Sequence, residues 1–534
     1  MLINSLLTDT DPIALSETNA TRLPQARRPL AEHRHSDFSN AQARRLDPPG
    51  TLFKGRTSTP HSRLPNTALR ALGAESDWQS PDQGPNSHAP GVDGKGAHIA
   101  VGIETLPRIS IGRRHAGAPH PDTCLGELLD TVQRQTLRYF WDFGHPTSGL
   151  ARERSNATPH VVTTGGSGFG IMAILAGVER GWIDRQAALD RLITMACFLG
   201  EAERHHGAFP HWMDGDSGRT IPFSQCDDGG DIVETAYLMA GLLSARQYFR
   251  GPEAKERILR SLIDALWRDV EWDWFTRGSD SLFWHWSPVH GWAMDHMING
   301  WNECLITFVL AAGAPRYPID PSVYHRGWTA GQAFANGRSF DGVPLPLGPD
   351  RGGPLFFAHY SFLGLDPRRL RDRYADYWCQ NVAFTRINQA HCIRNPEKFD
   401  GYSAECWGLT ASDSVNGYVA HAPDRDHGVI APTGAIGSLP YVPAESKRAL
   451  RHFASRGDRL WGEYGFRDAF SPAMDWYADS YLAIDQGPIV VMIENYRSGL
   501  LWQLFMSCPE IRAGLARLGF SQRANASAVM SSEG

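Results

Sequence analysis

Carboxylates set at predicted helix starts are the residues of this chain best suited to chemistry. Asp227, Asp228, Asp231 and Glu234 fall within eight positions, and Gly229 and Gly230 let the loop turn before a helix opens at Asp231. Asp231 and Glu234 are three apart, so one helix face can carry both, and Asp227 can fold back to meet them. Carboxylates held together repel, and at least one then keeps its proton near neutrality. That suits general acid–base work or the binding of several hydroxyl groups. The same spacing is also a D-x-x-E capping box, and the residues alone do not separate the two uses.

Two more segments offer acids. In Gly300-Trp301-Asn302-Glu303-Cys304, Asn302 reads as an N-cap and Glu303 as a first-turn residue. The helix dipole would favour its anion, so a proton donor there needs burial or a neighbouring carboxylate. Without such help a first-turn Glu is more often a dipole partner. Asp485 stands before Gly487 and Pro488, ahead of an apolar helix from Ile489, where it either caps the helix or faces a cleft. The loop Trp284-His285-Trp286-Ser287-Pro288, followed by Trp292, is dense in aromatic rings. Such a loop is a poor surface unless something covers it. His285, Trp286 and Trp292 are therefore candidate sugar contacts, with packing against the scaffold as the alternative reading. No metal is expected, since no HExxH-like spacing occurs. Thr163–Gly170, rich in glycine, lacks the lysine of a phosphate loop and reads as tight packing at a helix start.

These residues need a scaffold, and the chain is long enough for one. Of 534 residues 42% are hydrophobic, and the net charge of −6 gives no basic field for nucleic acid. Residues 1–120 are rich in Pro, Ser and Arg without apolar period, and are expected to be a disordered region, a possible export or targeting segment. From 121 to 520 the period is helical, with about twelve helices separated by long Gly/Pro/aromatic loops. They include 302–312, 322–335, 368–392 and 488–506, and one opened by Pro252. The expectation is an all-α fold, an (α/α)6 barrel or toroid, with a flexible tail at 521–534. The eight cysteines form no CxxC pair and read as free, buried thiols. No run spans a bilayer and the start lacks a Sec-type signal peptide. The expected protein is a soluble monomer, cytoplasmic or exported by a non-Sec route.

Several of these segments, in order, resemble the bacterial glucoamylase-like domain of glycoside hydrolase family 144, the β-1,2-glucanases. They include SGLARERSN, VTTGGSGFGIMAILAGVERG, GAFPHWMDGDSG, DDGGDIVETAYLMAGLL, LFWHWSP, WNECLITFVLA, ECWGLTASD and DSYLAIDQGPIVVMIENYRSGLLWQLF. The resemblance spans roughly 125–510. It implies an (α/α)6 barrel, no cofactor and hydrolysis of a β-1,2-glucan, endo-acting and inverting. It implies that Asp227, Asp231, Glu234, Glu303 and Asp485 share an acidic pocket, with Glu303 as general acid and Asp485 as base or water-positioning group. Exo-action, transglycosylation and a non-catalytic glucan-binding or host-interacting protein are the alternatives.

Overall fold

The computed structural model describes residues 117–522. The predicted disordered region lies outside the described residues except for 117–120, as does the predicted tail from 523. The first two residues of that tail belong to the fold, because Ser521–Gln522 pairs antiparallel with Leu370–Arg371.

Twelve α-helices occur among the described residues. They are α1 (Leu125–Trp141), α2 (Thr164–Glu179), α3 (Arg185–Glu201), α4 (Ile232–Tyr248), α5 (Ala254–Arg268), α6 (Leu305–Gly313), α7 (Tyr377–Arg394), α8 (Pro432–Gly437), α9 (Pro443–Ala454), α10 (Ala483–Arg497), α11 (Leu500–Met506) and α12 (Pro509–Arg517). Sequence assigns them to layers. In α1 and α5 the apolar residues form one stripe, such as Leu259, Leu262, Ile263 and Leu266, with charges opposite. Such helices cover a core from outside. In α2 every residue from Thr164 to Gly177 is buried, and in α4 every residue from Ile232 to Arg246. A helix buried all round belongs inside.

The inner elements close a ring. α2 packs on α4, α4 on α6, and α6 on the 3₁₀ turn Tyr360–Leu363. From there His359 Nε2 pairs with Ser438 Oγ at 2.9 Å at the end of α8, which packs on α10, which returns to α2. Outer elements alternate with these along the chain: α1, α3, α5, the π-helical turn Val323–Trp328, α7 and α9. This is the six-and-six arrangement of an (α/α)6 barrel. α2 and α4 touch backbone to backbone. A Cβ on Gly168 would lie 2.1 Å from the Tyr237 carbonyl oxygen, and one on Gly241 2.3 Å from that of Gly168. Glycine is what permits this approach.

Several element boundaries differ from the sequence reading. The helix expected at 322–335 is only the π-helical turn, followed by a hairpin of Ala335–Phe340 with Val343–Leu347 that turns at Asp341 and Gly342, both with positive φ. The helix expected from 368 starts at Tyr377, because the Asp372 carboxylate accepts from the Tyr374 and Ala375 N–H groups and ties a turn before it. Pro252 lies before α5, whose N-cap is Glu253. The helix expected at 488–506 begins at Ala483 and breaks at Gly499, whose φ is 70°, into α10 and α11. No disulfide forms among the described residues, but only four cysteines are buried; Cys124 and Cys379 are exposed because they lie at or near the starts of outer helices. No helix among the described residues is long and apolar enough to cross a membrane.

Candidate active site

The site forms where inner elements begin. Gly230–Asp231 pairs with His285–Trp286 as a two-residue antiparallel ladder. Gly229 makes this possible, since a Cβ there would meet the Trp286 carbonyl oxygen at 2.2 Å. The ladder fixes Asp231 as N-cap of α4. Its Oδ1 accepts from the N–H groups of Val233 and Glu234 at 3.0 and 2.9 Å. Its Oδ2 accepts from Trp284 Nε1–H at 3.2 Å and from His211 Nδ1–H at 3.0 Å. Burial opposes ionisation of Asp231, but the His211 hydrogen bond and charge hold it below the usual carboxylate range. Burial likewise opposes the His211 imidazolium, yet the charges of Glu234, Asp231 and Asp227, with the Asp231 hydrogen bond, push it up to about 9.

Only half of the capping box exists. Glu234 does not reach back to Asp231, whose N–H donates to the Phe209 carbonyl. Instead Glu234 Oε2 accepts from the Gly165 N–H at 2.8 Å, at the start of α2. The glycine-rich segment therefore holds a carboxylate. Burial raises Glu234 above its usual range, with His211 acting against the rise and Asp231 adding to it. Asp227 is buried and neither carboxylate oxygen has a hydrogen-bond partner. Burial and then the Asp231 charge push it up to about 7.

Glu303 is positioned differently from the sequence reading. Asn302 Oδ1 accepts from the Cys304 N–H at 3.1 Å and from Trp328 Nε1–H at 3.2 Å. That turn delays the helix, so Cys304 is the N-cap of α6 and Glu303 precedes it. Its carbonyl accepts from the Ser361 hydroxyl, while Oε2 is buried without a partner. Burial, reinforced by Glu234 and Asp231, pushes it up to about 7.

A second group of carboxylates comes from later in the chain. Asp485 lies in the first turn of α10, buried, with Oδ2 unpartnered. Burial, and then the charge of Asp468, drives it well above the usual range. Asp468 Oδ2 accepts from the Asp413 N–H at 2.6 Å, and burial, then Asp413, pushes Asp468 up to about 7. The Asp413 carboxylate in turn accepts from Ser480 Oγ at 2.5 Å and from Arg154 Nη1 at 3.1 Å. Arg154 also holds Glu153 at 2.8 Å.

Tyr360 joins the two groups. Its buried phenol is driven well above its usual range by burial and by Asp485, Glu303, Glu234 and Asp468 together. The start of α2 links Asp485 to the group of Asp227, Asp231, Glu234 and Glu303: the Gly165 N–H holds Glu234, and a Cβ on Gly166 would lie 2.7 Å from that of Ala483, two residues before Asp485. His285 is buried beside Asp231, and burial pushes it down to about 3, so it stays neutral. Trp286 is half-buried and forms a T-shaped pair with His206, ring centres 5.1 Å apart. Trp292 lies further out, against Trp274, Phe275 and Phe283. His211, Asp413, Asp468, Arg154 and Tyr360 were not singled out from sequence. Asp468, a lone acid in the aromatic run Gly465–Phe470, carried a usable signal. His211, Asp227 and Asp231 set ligand atoms within 4.8 Å of one another, but a metal there would have to displace the His211 proton.

A family model described as "Putative glucoamylase" matches residues 295–509. The exo β-1,2-glucooligosaccharide sophorohydrolase (non-reducing end) of Parabacteroides distasonis is 45% identical over 415 residues, covering 73% of this chain; the chain spans 58% of that relative's length. Among solved structures, a "putative glucoamylase" of Bacteroides uniformis is 55% identical with a TM-score of 0.74, over 75% of this chain and 98% of that one. The endo-β-1,2-glucanase of Chitinophaga pinensis, solved with sophorotriose and glucose, is 50% identical with a TM-score of 0.73, over 74% of this chain and 99% of that one.

Proposed function

The chain belongs to the glucoamylase-like family, and on that premise we propose that it is a glycoside hydrolase of β-1,2-glucan, endo-acting and inverting. One observation supports this most: two groups of buried carboxyls both raise the Tyr360 phenol, and Glu303, in one of them, is pushed up to about 7. Glu303 is the general acid, donating to the leaving glycosidic oxygen. Asp485, with the Asp468 charge acting on it, is the base, and the charge this pair carries activates the attacking water. Inversion places acid and base about 6.5–9.5 Å apart, with the water between base and sugar.

Asp227, with two unpartnered oxygens, and Glu234 bind sugar hydroxyls, and Asp231 with His211 fixes Glu234 in place. His285 and Trp286 wall the site and Trp292 contacts the chain further along. The catalytic domain is residues 121–522, with Ser521–Gln522 included through their pairing with Leu370–Arg371. All these side chains come from one chain, so a monomer suffices.

The test is the product profile from linear β-1,2-glucan, with the anomer of the first product read by NMR. Mixed oligosaccharides of inverted configuration are expected. Sophorose alone would mean exo-action, retained configuration would mean a transglycosylase-like double displacement, and binding without new reducing ends would sink the hydrolase.

A further inference from the structure

A cleft of about 630 Å³ is lined by Glu271, Asp273, Trp274, Arg277, Trp292 and Tyr317, and by none of the site carboxylates described above. Its size is in the range of ligand pockets. Trp274 leaves 40% of its surface exposed. Yet the indole is braced. The His206 ring stacks on it at 3.7 Å with planes 12° apart, and His206 Nδ1 also lies 2.8 Å from Glu271 Oε2. His206 adopts a φ of 53°, an uncommon conformation for a residue with a side chain. The backbone ties both loops: the Glu271 N–H donates to the His206 carbonyl at 3.0 Å and the Trp274 N–H to that of Glu271 at 3.1 Å. One imidazole thus sets a stacking face and a carboxylate together. Trp292 tilts 34° from Trp274 at 6.3 Å, and the Arg277 guanidinium lies 5.4 Å from its ring centre.

Fixed indole faces suit the C–H faces of a pyranose, and planar charged groups of both signs beside them suit pairs of hydroxyls rather than an ion. The cleft also neighbours the active-site wall, since Trp286 contacts both His206 and Trp274. Trp286, in a T-shaped pair with His206, belongs to the strand that pairs with Gly230–Asp231. We propose that Trp274 and Trp292 form a second carbohydrate platform, holding a stretch of glucan chain away from the bond that is cut. The proposal rests on the glucan-hydrolase reading above.

The test compares wild type, W274A and W274F by affinity electrophoresis in gels containing linear β-1,2-glucan, and by kinetics on polymer and on the shortest cleaved oligosaccharide. W274A is expected to lose most retardation and to raise the polymer KM by about tenfold, leaving kcat/KM for the short substrate unchanged. W274F, which keeps the stack on His206 with a smaller face, should fall between. Retardation and polymer KM equal to wild type in W274A, or in W274F if W274A does not fold, overturn the platform while leaving the hydrolase reading intact. Wild type that is retarded through Trp274 but cleaves nothing overturns the hydrolase and keeps the platform. Wild type neither retarded nor active overturns both.

Discussion

His211 Nδ1–H donates to Asp231 Oδ2 at 3.0 Å, and this ion pair, with Asp231 buried and His211 half-buried, steadies the charge at the start of α4. Because the fold raises His211 from its ordinary 6.5 to about 9, its contribution is complete below pH 6.5 and is lost as pH rises through 9. The variant H211Q lacks that titration. Denaturant melts of the two proteins should differ most near pH 6, and the pH-dependent part of the gap, up to roughly 3 kcal/mol, should vanish by pH 10. A gap that does not vary with pH would show that His211 is not charged in the fold.

Glu303→Gln should lower kcat by about 10²–10⁴ with the helical circular dichroism unchanged. It should also stabilise. The wild-type carboxyl, raised from 4.5 to about 7, favours the fold below pH 4.5 and loses that advantage as pH rises through 7. The amide has no such loss. At pH 8 the variant should gain up to about 3 kcal/mol over wild type relative to pH 4, read from paired melts.

The pH profile of kcat/KM carries both carboxyl groups. Its alkaline limb should fall near pH 7, where Glu303 loses its proton. The acid limb is expected to follow Asp485, which burial and the Asp468 charge hold well above the usual range. Asp468→Asn removes that charge, so the acid limb should move to lower pH while the alkaline limb stays. Movement of the alkaline limb alone would contradict the division of roles.

Gly165→Ala tests the link between α2 and Glu234. The new Cβ would lie 2.6 Å from Glu234 Oε2 and 2.9 Å from the Tyr237 ring, so the carboxylate must move. A displacement near 1 Å is expected to reduce kcat/KM by about 10²-fold. Gly168→Ala instead drives α2 off α4 and should cost about 1–3 kcal/mol in a denaturant melt.

Much of the scaffold was legible because inner and outer helices differ in apolar pattern. Where a side-chain-capped turn intervenes, as at Asp372, or a glycine breaks the helix, as at Gly499, the period misleads. The D-x-x-E spacing revealed the cap at Asp231, but not that Glu234 turns to Gly165, a partner 69 residues away. Glu303 was found, yet the Asn302 turn that sets it before α6 depends on Trp328. Asp468, Asp413 and Arg154 are isolated in sequence, and only folding makes them a group.

The helix that carries Asp485 also packs against α1, α2 and α8, and so completes the ring with nearly the last of the described chain. A ribosome must therefore release almost the whole domain before any acid–base pair can assemble. On the proposed roles, nascent chains should be inert toward sugar until then, and proteolytic loss of the last helical segments should abolish activity outright rather than leave a weakened core. Contacts so distant in sequence also predict slow refolding after dilution from denaturant.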